Sequence, residues 1–134
     1  LNIKLNSNIS KTSKQYTTYV FYNKKNYKFT YLKQKGLTLI KTPLDSNGKL
    51  DLYFVLKKIR KLKINYLLVE GGKNLTSIFL EKNLFNEFYL FKSDVNLKNN
   101  SSKISKLVYR LNKYFNNCTK VDTFLENDLI KKYY

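Results

Sequence analysis

Sixteen residues, Ile64 to Phe79, constrain the fold of this chain more than any others. They read Ile-Asn-Tyr-Leu-Leu-Val-Glu-Gly-Gly-Lys-Asn-Leu-Thr-Ser-Ile-Phe. An apolar run (Ile64, Tyr66, Leu67, Leu68, Val69) meets an acid and two glycines, and a helical pattern begins at once. That order predicts a buried strand, a tight turn and a helix N-terminus. In open α/β sheets the carboxyl end of such a strand is where ligands dock. Glycine lets a ligand approach the backbone closely, and the start of a helix offers an anion N–H groups that lack intrahelical acceptors.

The flanking segments extend the pattern. Asn2 to Leu5 and Thr17 to Tyr22 read as short strands, the second rich in β-branched and aromatic residues. Lys28 to Lys35 reads as a short helix closed by Gly36, and Leu37 to Ile40 as a buried strand. Thr42 to Lys49 is dense in turn formers and predicts a surface loop. From Leu50 to Leu62, the apolar residues Leu52, Val55, Leu56 and Ile59 fall at i, i+3, i+4, i+7 with lysines and Arg60 opposite. This is an amphipathic helix expected to cover a sheet.

The strand Asn65 to Val69 comes next, expected in the sheet interior. A helix from Asn74 to Lys82 follows, with Leu75, Ile78 and Phe79 on one side, and then a strand from Glu87 to Phe91. Strands alternating with helices predict a parallel α/β core with right-handed crossovers. Lys92 to Ser105 is polar and reads as a loop. Ile104 to Phe115 carries Leu107, Val108, Leu111 and Phe115 at helical spacing. Lys120 to Phe124 and Leu129 to Tyr133 flank Glu126-Asn127-Asp128 as a terminal β-hairpin.

Composition narrows the chemistry. The length of 134 residues fits a single domain over 1–134 with a modest core. There is no His, so His-based metal sites and His-based acid–base catalysis are excluded within this chain. Cys118 is the one cysteine and cannot form an internal disulfide, which favours a reducing, cytoplasmic setting. No stretch approaches the roughly 18 apolar residues of a membrane span. The chain starts at Leu1 and contains no Met, which leads us to expect a fragment with its N-terminal part missing.

The net charge is +17, from 26 Lys and Arg against 9 Asp and Glu. Only Arg60 and Arg110 are arginines, and Ala is absent. Lys, Asn, Ile, Phe, Tyr and Leu can all be written with A/T-rich codons, so codon drift accounts for the lysine excess without a selected ligand. Arg, which clamps phosphate and reads guanine, is nearly absent. Codon drift therefore leads us to expect no nucleic-acid partner, and the lack of an apolar span no membrane partner.

Two readings of Glu70-Gly71-Gly72 stand side by side. The glycines can serve only to pack a helix tightly on a strand. Alternatively, Glu70 accepts hydrogen bonds from substrate hydroxyls while Lys73 and Asn74, on the first helical turn, lie near a bound phosphate. Asn74 can equally be the N-cap. Cys118 has no His to lower its pKa and reads as a bystander. The carboxylates Asp45, Asp51, Asp94, Asp122, Glu126 and Asp128 show no pairing that suggests a glycosidase or two-metal site. The tyrosines between Tyr19 and Tyr31 can stack bases, but they read more readily as half-buried strand residues.

From Asp45 onward, Asp45-Ser-Asn-Gly-Lys-Leu-Asp-Leu, then Val55-Leu56 on a helix, then Leu67-Leu-Val-Glu-Gly-Gly, Phe79-Leu80 and Leu84-Phe-Asn-Glu87 occur in an order that resembles a known family. It is the reductase domain of the bifunctional riboflavin-biosynthesis deaminase/reductase. Ile3-Lys4-Leu5-Asn6-Ser7-Asn8 resembles a strand and turn of that domain, and Glu126 to Tyr134 resembles its last strand. The family's Pro and glycines are absent from Lys92 to Asn100, and its first strand and helix would lie upstream.

The resemblance implies a three-layer dihydrofolate reductase-like α/β fold, with a mostly parallel central sheet, helices on both faces and a C-terminal β-hairpin. It also implies NADPH-dependent reduction of a phosphoribosylamino-uracil, whose ribose opens and becomes a ribityl chain. Glu70 would face the substrate, and Gly71, Gly72, Lys73 and Asn74 would lie beside the NADPH phosphates. No residue is assigned to catalysis and none to a metal. The isolated chain would have little activity, and a homodimer is compatible with the family. Two other classes compete: a basic nucleic-acid-binding module, and a degenerate, non-catalytic reductase-like domain kept for dimerisation.

Overall fold

The computed structural model describes residues 2–93, 109–113, 115–122 and 128–134. They form two compact units, Leu1–Leu68 and Val69–Tyr134. The chain is mixed α/β. The expectations for Lys92 to Ser105, for the first part of Ile104 to Phe115 and for the turn at Glu126-Asn127 lie largely outside the described residues.

The first unit opens with α1 (Asn8–Thr12). Asn2 to Leu5 is not a strand, contrary to expectation. The Ser7 N–H donates to Lys4 O at 3.1 Å, which closes a turn. Ser7 Oγ then accepts from the Ser10 N–H as the N-cap of α1. A serine side chain aimed at its own backbone favours this turn-and-cap over an extended chain. Buried Ser10 and Ser13 hold the helix in place, with Ser10 Oγ donating to Lys4 O and Ser13 Oγ donating to Lys35 O.

Strand β1 (Tyr19–Tyr22) pairs in parallel with β2 (Thr38–Lys41), Tyr19 opposite Thr38 and Tyr22 opposite Lys41. The crossover helix α2 (Phe29–Gln34) turns Phe29 and Leu32 inward. Leu32 is fully buried, and the Phe29 ring meets Tyr22 edge-on at 5.4 Å. Gly36 ends the helix with φ +95°, a left-handed conformation that favours glycine. The β2 residues are half-buried or exposed, not the buried strand predicted.

The loop after β2 is built by Asp45. Its carboxylate accepts from the Asn47 and Lys49 N–H groups, each at 2.9 Å, and Gly48 takes φ +71°. Leu44 and Leu50 close the loop as an isolated antiparallel bridge. Asp51 then caps α3 (Leu52–Lys61), its carboxylate accepting from the Phe54 N–H at 3.1 Å. Leu52, Val55, Leu56 and Ile59 are half-buried on the face that the spacing predicted.

The segment expected as an interior strand is not one. Residues 64–72 form neither helix nor strand. Tyr66 is 95% exposed and Leu68 81%. Apolar continuity marks a segment that gains by burial, but a strand also needs a neighbour to pair its backbone groups. This run straddles the boundary between the two units at Leu68 and Val69.

In the second unit, α4 (Lys73–Glu81) precedes a three-stranded antiparallel sheet. Its order is β3 (Phe88–Lys92), β5 (Leu129–Tyr133), β4 (Cys118–Val121). The expected pairing of the two C-terminal strands is present, with Cys118 opposite Tyr133. The expected mostly parallel sheet is not. One pair is parallel, and β3 runs antiparallel to β5, Phe88 opposite Tyr133. A strand's apolar pattern marks its faces and leaves its direction open, so alternation with helices overstated the parallel case. Residues 109–113 are helical, and the core gathers Leu80, Leu111, Phe115 and Tyr133, with Phe85, Phe88 and Leu90 against it.

Candidate functional site

The candidate residues form one short, exposed stretch that leads into α4. Gly72 is the N-cap, with φ −67° and ψ 173°, and it has no side chain to offer the helix. Asn74, considered for that role, is already the second helical residue. The first intrahelical bond runs from the Thr76 N–H to Gly72 O at 3.2 Å. The N–H groups of Lys73, Asn74 and Leu75 therefore point out of the helix start without intrahelical acceptors. Thr76 Oγ1 donates to Gly71 O at 3.3 Å, which holds the preceding peptide over the first turn. Glu70, Gly71, Gly72, Lys73 and Asn74 are all exposed.

The two glycines differ. A Cβ at Gly71 would meet Leu75 Cδ2 at 2.8 Å and Leu75 Cβ at 2.9 Å, so Gly71 is explained by the helix packing against it. A Cβ at Gly72 would meet nothing within 4 Å. The space beside Gly72 and the N–H groups that lack intrahelical acceptors leave the start of α4 open to a small anion.

The first unit contains a separate cleft that was not foreseen. It has a volume of about 640 Å³ and is lined by Asn2, Ile3, Tyr22, Asn23, Lys24 and Leu50 among others. It opens where β1 ends, the carboxyl edge of the parallel pair. Asn23 Nδ2 donates to Thr42 O at 3.0 Å and ties the two strand ends together. The available signal was the change from Val20-Phe21-Tyr22 to Asn23-Lys24, apolar strand to polar exit.

Elsewhere, Cys118 is exposed. Burial, with the Cys118 thiol beside it, pushes the Tyr133 phenol above its ordinary value. Lys132 Nζ lies 2.7 Å from Glu87 Oε1, and that contact holds the Glu87 carboxyl below the usual range. Among the described residues there is no cluster of His, Cys, Asp or Glu that could hold a metal ion, and no helix long and apolar enough to cross a membrane. In comparisons with known proteins, the chain matches no family model and no curated protein.

Proposed function

We propose that this chain belongs to an NADPH-dependent reductase acting on a phosphoribosylamino-uracil, as its resemblance to the riboflavin-pathway reductase domain implies. The observation that carries the reading is the open space at Gly72, directly before the free N–H groups of α4. Under this reading Gly72 admits a cofactor phosphate to the backbone, and the N–H groups of Lys73 and Asn74 and the Lys73 ammonium hold it. Glu70, two residues earlier, accepts hydrogen bonds from ribityl-chain hydroxyls. When bound, the nicotinamide supplies the hydride, and the protein's part is to orient it against the opened sugar. The dihydrofolate reductase-like family assignment belongs to the same proposal.

The test is NADPH binding followed by calorimetry or by nicotinamide fluorescence. The native chain should bind, and Gly72→Val should weaken binding by at least about tenfold with the circular dichroism spectrum unchanged. Lys73→Ala should weaken it by a few-fold. Unchanged affinity in Gly72→Val overturns the site. With the phosphoribosylamino-uracil added, loss of NADPH absorbance should be slow or absent for this chain, and fast turnover would refute the expectation of little activity.

A further inference from the structure

The basic residues are spread along the chain as codon drift would spread them, but the acids are not. Residues 1–44 hold nine lysines and no Asp or Glu. The first acid is Asp45. The unit Leu1–Leu68 contains fifteen Lys or Arg and only Asp45 and Asp51, a net +13, and the unit Val69–Tyr134 carries the remaining +4 of the +17. Codon bias acts alike on both halves and does not clear carboxylates from one of them. A sign asymmetry of this kind points to a polyanionic partner, and without one it costs the compact unit its self-repulsion.

The structure shows what this acid-free stretch presents. On α2 Leu32 is buried, Phe29 is half-buried and Tyr31 is exposed, and ammonium groups lie over the Phe29 and Tyr31 rings. Tyr27 is 85% exposed, and Tyr16 and Tyr31 are exposed as well. Lys35 Nζ sits 5.2 Å from the centre of the Tyr31 ring, and Lys25 Nζ lies 4.7 Å from that of Phe29. Lys33 Nζ lies 5.9 Å from the same Phe29 ring. The ion pairs Glu81–Arg110 and Glu87–Lys132 belong to the other unit.

We infer that the outer face of α2 and the residues leading into it bind single-stranded nucleic acid, with Lys25, Lys33 and Lys35 neutralising phosphates and Tyr27 and Tyr31 stacking bases. Exposed aromatic faces beside cations are the two parts of a sequence-tolerant strand-binding surface. Both arginines lie outside residues 1–44, so the rigid guanidinium fork that best reads guanine is missing from this face, and sequence-tolerant binding is expected. This departs from the expectation drawn from the overall charge, because the distribution of acids carries information that the total does not. It is independent of the reductase reading.

The test is fluorescence anisotropy of labelled oligo(dT) with the full chain at several salt concentrations. Contact of the three lysines with about three phosphates gives a log–log salt slope near roughly −2, at roughly 0.7 per phosphate. The Lys25→Glu, Lys33→Glu, Lys35→Glu variant should lose at least about thirtyfold at low salt and flatten the slope by about 2. The same charge change in the second unit, Lys92→Glu, Lys113→Glu, Lys120→Glu, should cost only a few-fold. Tyr27→Ala, which removes an exposed side chain, should cost on the order of tenfold. Absence of binding at low salt overturns the inference, and so do equal losses in the two charge variants. Equal displacement of the oligonucleotide by inorganic triphosphate, or stronger binding to phosphatidylserine vesicles, also overturns it. Should the first charge variant fail to fold, Tyr27→Ala and Tyr31→Ala decide alone, and unchanged affinity in both overturns it.

Discussion

Adding one methyl group to each of the two glycines before α4 should give opposite outcomes. At Gly71 the new Cβ falls 2.8 Å from Leu75 Cδ2 and 2.9 Å from Leu75 Cβ. Carbon atoms in comfortable contact lie about 3.5–4.0 Å apart. Leu75 Cδ2 can rotate away, but Leu75 Cβ is fixed to the helix backbone, so the first turn itself must shift. Overpacking of this kind costs about 1–3 kcal/mol, and the reduced freedom of the unfolded chain returns about 0.4–1 kcal/mol. Gly71→Ala should therefore destabilise by about 1–2 kcal/mol, lowering Tm by roughly 3–8 °C.

At Gly72 the Cβ meets nothing, and φ −67° suits any residue. Ala is a poorer N-cap than Gly, and the entropy gain offsets that loss, so Gly72→Ala should be close to neutral. Gly72→Ser adds a capping oxygen and should stabilise by about 0.5–1 kcal/mol. Thermal and urea melts of the three variants check the ordering. A Gly71→Ala protein as stable as the native chain, or a Gly72→Ala protein weakened as much as Gly71→Ala, would refute the steric argument.

Other positions give independent tests. Leu111 is fully buried among Leu80, Phe115 and Tyr133, and Leu111→Ala should cost about 2–5 kcal/mol in urea unfolding. Asp51→Ala removes the α3 cap and should cost about 1 kcal/mol, with Asp51→Asn retaining most of it. Burial raises the folded-state value of the Tyr133 phenol above its unfolded value. Its contribution to stability is therefore complete below the ordinary tyrosine range and is lost as pH rises through the folded value. Tyr133→Phe should remove that part of the alkaline decline in melts recorded against pH. The Glu87 carboxyl is held down first by Lys132 and, more weakly, by the Tyr89 hydroxyl. Lys132→Met should move its titration upward in NMR, and an unmoved titration would remove Lys132 as the cause.

What the sequence made legible was local chemistry. The Asp45 turn, the Gly36 helix end and the amphipathic face of α3 each follow from residues within a few positions of one another, and the last two strands pair across a short connection. What it hid depends on partners. Helix α1 spans five residues, too few for periodicity to register, and is held by serine hydrogen bonds to Lys4 O and Lys35 O. The direction of β3 is set by β5, far along the chain. Residues 65–69 carry the apolar pattern of an interior strand, but pattern alone supplies no neighbour.

The same distinction sharpens the candidate site. Read as a motif, Gly71-Gly72 is one signal, and its two explanations, packing and ligand approach, compete for both residues. The geometry divides them. Leu75 explains Gly71 completely, so that glycine carries no information about a ligand. Nothing in the fold requires Gly72, whose backbone angles and surroundings would accept any side chain. A glycine that the protein does not need for itself is the one whose loss should be felt only by what binds there. Stability measurements on Gly71 variants therefore test the packing, and ligand binding to Gly72 variants tests the function, with neither result able to stand in for the other.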